Sequence, residues 1–231
     1  MTERFEFNRQ LAEAARAMAA EKGTQHTLDR AVTMATQMLD HCDLAGVSLV
    51  HPNGIDTPAA SHEALRQVDE LQYELNEGPC VDSLHQLEVV SATNLAEDPR
   101  WPRWGPHIAR ELGIHSTMSF RLFTTGDNLG ALNLYAYRVD AFGHEDLLDG
   151  LILATHAAVA LAATLQENHL HTAMETRRMI GEAIGIVRER FGLSSEQAFD
   201  ALRRVSSQDN IKLNQLARQI VETGAWPDAT R

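Results

Sequence analysis

Two glycines and three arginines on one predicted helix form the strongest candidate for a binding surface. At about 100° per residue, Gly181 and Gly185 fall on one flank of the helix, with Arg177, Arg178 and Arg188 around them. Glycine inside a helix costs roughly 1 kcal/mol relative to alanine, so two of them need a reason. One interpretation is a surface that another backbone approaches closely, ringed by guanidinium groups that suit phosphates and base edges. The other is close helix packing beside solvated arginines.

The cysteines and histidines give weaker signals. Cys42 and Cys80 form no C-x-x-C pair, which fits a reducing compartment and predicts no disulfide framework. Cys80 is either a reactive thiol in a pocket wall or a buried, inert residue behind a turn, and the second is the commoner case. None of the 11 histidines forms a ligand pair at a metal-binding spacing, so we predict no metal site and no cofactor.

The arginine-rich segment near the C-terminus is predicted to fold as three short amphipathic helices. Their apolar residues recur at helical spacing. The first stripe is Ile180, Ile184, Val187 and Phe191, the second is Ala198, Ala201, Leu202 and Val205, and the third is Leu213, Leu216, Ala217 and Ile220. Gly192 is a stop signal after the first helix, and Ser194 with Gln197 forms a predicted capping box that opens the second.

Charge is distributed unevenly along the chain. The formal net charge is −12, but residues 1–169 hold 11 Lys/Arg against 24 Asp/Glu, whereas residues 177–218 hold 8 against 5. The first part is therefore not expected to bind nucleic acid, and binding by the last part must depend on shape more than on bulk charge. No run of 18 apolar residues and no signal peptide is found, so we predict a cytoplasmic protein without a membrane span.

The first part of the chain is predicted to be an α+β domain with a mainly antiparallel sheet and flanking helices. Helical periodicity covers about 5–20 and 28–41, and a further helix begins at about residue 63. Strands are predicted at 44–50, 55–60 and 89–92, followed by a hairpin with arms at 115–124 and 129–138. A long helix then leads into the three-helix segment.

The C-terminal segment resembles the ANTAR domain, an RNA-binding antitermination module of bacterial regulators. The resemblance is carried by IGEAIGIVRERFGLS at 180–194, EQAFDALRRVS at 196–206 and NIKLNQLARQIV at 210–221. It departs from the family at Ile184, where many members have lysine. The resemblance implies a homodimer that binds paired stem-loops of mRNA leaders and favours an antiterminator. The implied RNA contacts are Gly181, Ala183, Gly185, Arg188, Arg203, Arg204, Ser206 and Lys212.

The preceding part resembles a GAF domain, a small-molecule sensor fold. The matching stretches are EGPC at 77–80, NLAEDPRWP at 94–102, GIHSTMSFRL at 113–122, LGALNLYA at 129–136 and ATHAAVALA at 154–162. The resemblance places a pocket for an unknown ligand near 73–84, a loop at 94–107 and the hairpin strands. The candidate ligand residues are Tyr73, Cys80, Trp101 and Phe120. Trp101 and Trp104 either stack on a planar ligand or seal the rim of the domain, and we favour the second.

These observations predict a domain order. We expect a GAF-like sensor at 1–165, whose first helix (1–22) contributes to a dimer, a continuous helical connector at 166–176, an ANTAR domain at 177–224 and a tail at 225–231. The spacing in 148–165 suits a helix that packs on its twin, on its own sheet, or on both through different faces.

The prediction is a signal-sensing, non-enzymatic transcription regulator that binds RNA as a cytoplasmic homodimer. One alternative is a sensor that acts by protein or DNA contact. The other is a thiol reductase of free methionine sulfoxide, which needs an attacking and a resolving cysteine.

Overall fold

The computed structural model describes residues 2–21, 23–85, 88–124 and 127–226. Contacts divide the chain into two compact units, Met1–Leu165 and Gln166–Arg231. In chain order the elements are α1 (Thr2–Ala20), α2 (Thr24–Met38), β1 (Leu44–His51), β2 (Gly54–Ala60), α3 (Ala64–Leu75), α4 (Pro79–His85), β3 (Val89–Ala92), α5 (Trp104–Leu112), β4 (Ser116–Phe123), β5 (Asn128–Ala136), α6 (His144–Phe191), α7 (Ser195–Gln208) and α8 (Leu213–Thr223).

The first unit is built on an antiparallel sheet with strand order β2-β1-β5-β4-β3. The central strands β4 and β5 pair from Ser116↔Ala136 to Phe123↔Asn128. They form the predicted hairpin, although residues 125 and 126 of its turn lie outside the described part of the chain. The prediction of an α+β fold with an antiparallel sheet, flanking helices, a long helix and a small helical bundle is confirmed.

The sheet has two different faces because successive side chains of a strand point to opposite sides. Met118, Phe120 and Leu122 of β4 belong to an apolar cluster that includes Leu28 of α2 and Leu153 of α6. The alternate β4 residues are polar, and one of them, Ser119, lies against Ser83 of α4. A second apolar cluster joins Trp101 and Trp104 to Val68 of α3 and Tyr135 of β5. The sequence places the main core on one face and polar groups on the other.

The prediction that 94–107 is a loop is wrong at its end, because helix α5 begins within this segment. Pro102, Gly105 and Pro106 are turn signals in sequence, but α5 begins at Trp104. A proline in the first helical turn removes no intrahelical hydrogen bond, because the N–H groups there have no partner in the helix. Trp104 is completely buried, and its indole N–H donates to Val68 O at 3.1 Å. Burial of this tryptophan anchors the helix.

The second unit contains the end of α6 with α7 and α8. Its core includes Val187, Leu202, Leu216 and Ile220, all fully or almost fully buried. The predicted capping box is present: Gln197 N donates to Ser194 Oγ at 3.2 Å, and Ser194 N donates to Gln197 Oε1 at 2.9 Å. These reciprocal bonds satisfy backbone donors that would otherwise be unpaired at the start of α7.

Helix α6 is the one helix in the described residues that is long and apolar enough, by length and composition, to cross a membrane. Of its most apolar stretch, 44% is buried inside the protein. The burial comes from residues such as Leu153, Ala157 and Leu161, which pack in the core of the first unit. This apolar stretch therefore has the character of a core helix.

Candidate functional site

The glycine face of α6 is open. If a Cβ were added at Gly181 or Gly185, it would meet no atom within 4 Å among the described residues, apart from its own chain neighbours and helix backbone. Both glycines are exposed, and so is Arg188. The explanation that these glycines allow close helix packing inside the bundle is therefore wrong. The face remains available to something outside the chain.

Ala183 does not belong to this face, which corrects its prediction as an RNA contact. It is 0% exposed and packs in the bundle core with Val187 and Ala217. Its position is about 200° around the helix from Gly181, so the two residues point in opposite directions. Gly181 and Ala183 belong to one sequence motif, but the geometry of the helix places the two residues on opposite faces.

The arginines of the bundle differ in their partners. Arg178 pairs with Glu175 and Glu182 on its own helix, and Arg190 Nη1 donates to Gly224 O at 2.8 Å. By contrast, Arg188, Arg203 and Arg204 are exposed and make no ion pair within the described part of the chain. Their charges are therefore available to an external anion. These three arginines are among the RNA contacts that the resemblance implies, and their role in binding stays a prediction.

Arg203 and Arg204 lie on α7, where they line a shallow groove with Asp200, Ser207 and Gln208. Lys212 is exposed at the start of α8. Ser206 is half-buried, and its hydroxyl donates to Ile211 O at 2.7 Å in the turn between α7 and α8. The hydroxyl proton of Ser206 is thus used inside the bundle, so its oxygen can offer only an acceptor to a ligand.

The first unit contains a buried polar network on the sheet face that α3 and α4 cover. Its centre is Asp69 of α3, which is 1% exposed. Thr57 Oγ1 and Ser48 Oγ donate to Asp69 Oδ2 at 2.6 and 3.2 Å. Gln72 Nε2 and Tyr135 Oη donate to Asp69 Oδ1 at 2.9 and 3.0 Å. These four donors are all neutral.

Burial raises the pKa of Asp69, and the hydrogen bonds from Thr57, Tyr135, Ser48 and Gln72 oppose that shift. Removing a carboxylate from water disfavours its charged form, while donors that bind it favour that form. The raised pKa shows that the loss of hydration outweighs the four bonds. Proton binding to this carboxyl is thereby linked to the stability of the first unit.

The network continues across the sheet from Ser48. Asn133 Nδ2 donates to Ser48 Oγ at 2.9 Å, and Ser119 Oγ donates to Asn133 Oδ1 at 2.6 Å. Ser119 Oγ lies 3.0 Å from Ser83 Oγ of α4. Ser48, Ser83, Ser119 and Asn133 are not among the residues predicted from the sequence to form a site. The available signal was a run of polar residues at alternate positions in otherwise apolar strands, which indicates a polar face.

The EGPC segment joins α4 to this network. Cys80 N donates to Gln72 Oε1 at 3.0 Å. A Cβ at Gly78 would lie 2.1 Å from Gln72 Oε1, and the φ of Gly78 is +132°. Only glycine fits that conformation and that close approach without strain. Gly78 therefore lets Gln72 reach both Asp69 and the backbone of α4.

Tyr73 and Cys80, two of the predicted ligand residues, do lie together. Tyr73 Oη is 3.8 Å from Cys80 Sγ. Cys80 is completely buried, and burial raises the pKa of its thiol to about 12. Burial likewise raises the pKa of Cys42 to about 12. Both thiols therefore remain protonated at neutral pH, as expected for inert, buried cysteines.

Trp101 is buried within the domain, as the favoured interpretation of the sequence expects, whereas Phe120 is not at the expected ligand face. Trp101 is 1% exposed, and its Nε1 donates to Asp82 Oδ2 at 3.0 Å, so the tryptophan is part of the packing behind α4. Phe120 packs in the opposite core, where a Cβ at Gly150 would lie 2.3 Å from its ring. Phe120 is therefore on the wrong side of the sheet to line the α3/α4 face, because strand residues alternate.

The described residues contain no group of three or more His, Cys, Asp or Glu side chains that could hold a metal ion.

Comparison with known proteins identifies both units. The GAF domain family matches residues 21–162, and the ANTAR domain family matches residues 168–221. None of the curated proteins compared with this chain matches it.

Several solved structures resemble 70% or more of the chain. The GAF domain of a phosphoenolpyruvate-protein phosphotransferase from Coxiella burnetii is 17% identical with a TM-score of 0.59, and the match covers 71% of this chain and 96% of that one. The free methionine-R-sulfoxide reductase from Neisseria meningitidis, solved with its substrate, is 16% identical with a TM-score of 0.57, covering 70% and 91%. A bacteriophytochrome from the photosynthetic bacterium R. palustris is 11% identical with a TM-score of 0.59, covering 85% and 46%.

At these identities the structural likeness shows the fold alone, whereas the two family matches cover the sensor and the bundle directly. The chain belongs to the GAF domain family and carries an ANTAR domain after it, which together make the two-domain GAF–ANTAR architecture.

Proposed function

We propose that this chain is a transcription antitermination regulator that binds paired stem-loops of mRNA leaders as a cytoplasmic homodimer, under the control of its GAF domain. The architecture is that of a regulator, since it joins a sensor domain to a domain of an RNA-binding antitermination family. The observation that carries the proposal is the open face of α6. Gly181 and Gly185 leave room for an incoming backbone, and Arg188 lies beside them without a partner ion in the described chain.

The physics of RNA recognition fits such a face. The major groove of duplex RNA is too narrow for a helix to enter, whereas the bases of a loop are unstacked and accessible. A helix with glycine in place of longer side chains can lie against a loop backbone at short distance. Arg188, Arg203 and Arg204 then supply charge to the phosphates, and Lys212 adds a fourth cation.

The proposal includes a dimer because paired stem-loops offer two equivalent targets. Leu170 and Met174 on α6 are 60% and 69% exposed. Exposed large apolar residues one turn apart are typical of a contact between chains. Sedimentation of Leu170→Glu/Met174→Glu, with Thr172→Glu as a control on the opposite side of the helix, tests this element. An unchanged dimer in the double variant would exclude this contact.

The direct test is binding of the full-length protein to a labelled leader RNA with two short-loop stem-loops, at two salt concentrations. Arg188→Ala/Arg203→Ala is expected to lose binding. Arg178→Ala is the matched control, because Arg178 already pairs with two glutamates. Each lost phosphate contact should also flatten the salt dependence of the binding constant.

The outcome is read against RNA with scrambled loops and against duplex DNA. Equal, weak binding to all of these would exclude the antitermination function and would favour the alternative of action through protein contact.

Two observations support a regulatory role over thiol reductase chemistry. That chemistry needs a thiolate to attack the sulfoxide and a second thiol to resolve the product. Cys42 and Cys80 are buried, and the pKa of each is raised to about 12. Turnover of free methionine sulfoxide by the wild-type protein, lost in Cys80→Ser, would overturn this conclusion.

We further infer that the sensor binds its small-molecule ligand on the α3/α4 face of the sheet. The polar side chains around Asp69 provide donors and acceptors there, and Tyr73 and Cys80 lie at the edge of the same face. A ligand that exchanges hydrogen bonds with this network would shift α3 and α4.

A further inference from the structure

The end of α6 carries an aromatic pair that the RNA contacts named so far do not use. Phe191 is the last residue of the helix and is 50% exposed. Its ring centroid lies 5.7 Å from that of Trp226. The two rings meet edge to face, with an interplanar angle of 79°. Trp226 lies beyond the segment that matches the ANTAR family, which ends at residue 221. The pair therefore joins Phe191, which lies inside the matched segment, to a residue beyond it.

The pair is held in a fixed position. Trp226 packs against the bundle core. The segment that leads to it is anchored twice: Arg190 Nη1 donates to Gly224 O at 2.8 Å, and Gly224 N donates to Ile220 O at 2.8 Å. Fixing an aromatic ring before a ligand arrives reduces the entropy lost on binding. Trp226 thus holds the ring of Phe191 in place, and the exposed part of that ring is accessible to a ligand.

Phe191 also lies next to the basic face. It follows Arg188 by three residues, and side chains at this spacing are neighbours on a helix surface. Unstacked loop bases bind proteins by stacking on aromatic rings while their phosphates contact arginine. We propose that Phe191, supported by Trp226, is a stacking platform for one unpaired base of the RNA loop whose phosphates Arg188 contacts. This inference rests on the proposed RNA-binding function.

The first test compares three variants of the full-length protein on a short-loop RNA hairpin. Phe191→Leu keeps an apolar side chain but removes the ring, and it should weaken binding about tenfold, since base stacking is worth about that much per base. Phe191→Tyr keeps the ring and should bind like wild type. Tyr137→Leu removes an aromatic residue that is 51% exposed on the sensor, and it should change nothing.

A second hairpin separates stacking from other contacts. It has the same stem, but its loop is replaced by a flexible linker without bases. Phe191→Leu and wild type should bind this hairpin equally, because there is no base to stack. An equal loss of affinity for both hairpins would overturn the platform, as would a change in self-association of Phe191→Leu in the absence of RNA.

Tryptophan emission gives an independent readout. Trp101 and Trp104 are 1% and 0% exposed in the sensor, so they are shielded from RNA. A base on Phe191 should change the emission of Trp226, and the change should disappear in Trp226→Phe and shrink in Phe191→Leu. Loop-dependent binding by wild type with the same affinity in Phe191→Leu would refute the platform and leave the RNA-binding function standing. No binding of any RNA by wild type would instead refute the function itself.

Discussion

Gly181 and Ala183 lie two residues apart on α6 and face opposite sides of the helix. The Cβ position at Gly181 is open, with no atom within 4 Å among the described residues, whereas Ala183 is completely buried in the bundle. The surface that is offered to a partner and the surface that stabilises the bundle are therefore separate. Each can be altered without direct damage to the other.

Replacing both open glycines should therefore strengthen the fold and weaken binding. Gly181→Ala/Gly185→Ala should raise the free energy of unfolding of the bundle by about 1 kcal/mol per site, because alanine is the better helix former and its methyl group meets nothing. The same methyl groups should hinder a close RNA backbone and reduce affinity about tenfold, the effect of mild overpacking. Urea unfolding and RNA titration measure the two effects. Thr172→Ala is the control, and an unchanged affinity in the double variant would show that RNA does not approach this face.

The capping box should contribute measurably to the second unit. Ser194→Ala removes the acceptor for Gln197 N and should destabilise the bundle by about 1 kcal/mol. Gln197→Ala removes the reciprocal bond to Ser194 N. In a double-mutant cycle, the two changes should not add, since each bond holds the backbone geometry at the start of α7 that the other bond needs. Thermal unfolding monitored by helicity measures this, and strict additivity would argue against a coupled cap.

Asp69 should make the stability of the sensor depend on pH. Its pKa is raised in the folded protein, so between the unfolded pKa of about 4 and the higher folded pKa the native state binds more protons than the unfolded state. The contribution of Asp69 is fully present below pH 4 and is lost as the pH rises through its folded pKa.

Asp69→Asn cannot ionise, so its stability relative to wild type should improve as the pH rises from 4 to 8. Denaturant unfolding of both proteins at matched pH values tests this, because the titration of the other groups largely cancels in the difference. A difference in stability that stays constant over this range would show that the pKa of Asp69 is not raised in the folded protein.

The two thiols should react only when the sensor opens. The pKa of Cys42 and that of Cys80 are raised to about 12, and both side chains are buried, so the reactive thiolate is scarce in the native state. Alkylation by iodoacetamide at pH 8 should be far slower in native protein than in urea. Mass spectrometry of tryptic peptides separates the two sites. Rapid modification of Cys80 in native protein would revive the reactive-thiol interpretation.

Local patterns predicted much of the fold. The helical stripes that contain Val187, Leu202 and Ile220 supply the core of the bundle, except that Phe191 at the end of the first stripe is 50% exposed. The Ser194–Gln197 cap formed as its spacing predicts. These features depend on helical periodicity and on contacts between residues no more than four apart. Both can be recognised from the spacing of residues in the sequence. Helix α5 was missed because its turn residues gave a strong local signal that the burial of Trp104 overrides.

The sequence by itself determined the architecture, the charge difference between the two parts and the basic, glycine-containing helix, since all of these are properties of composition and short-range spacing. Only the tertiary structure decided that Ala183 is core, that Phe120 faces away from the α3/α4 side, and that Asp69 gathers donors from β1, β2, α3 and β5. Those donors lie between 3 and 66 residues away along the chain. Their meeting depends on strand order and register, which are set by long-range packing rather than by any local pattern.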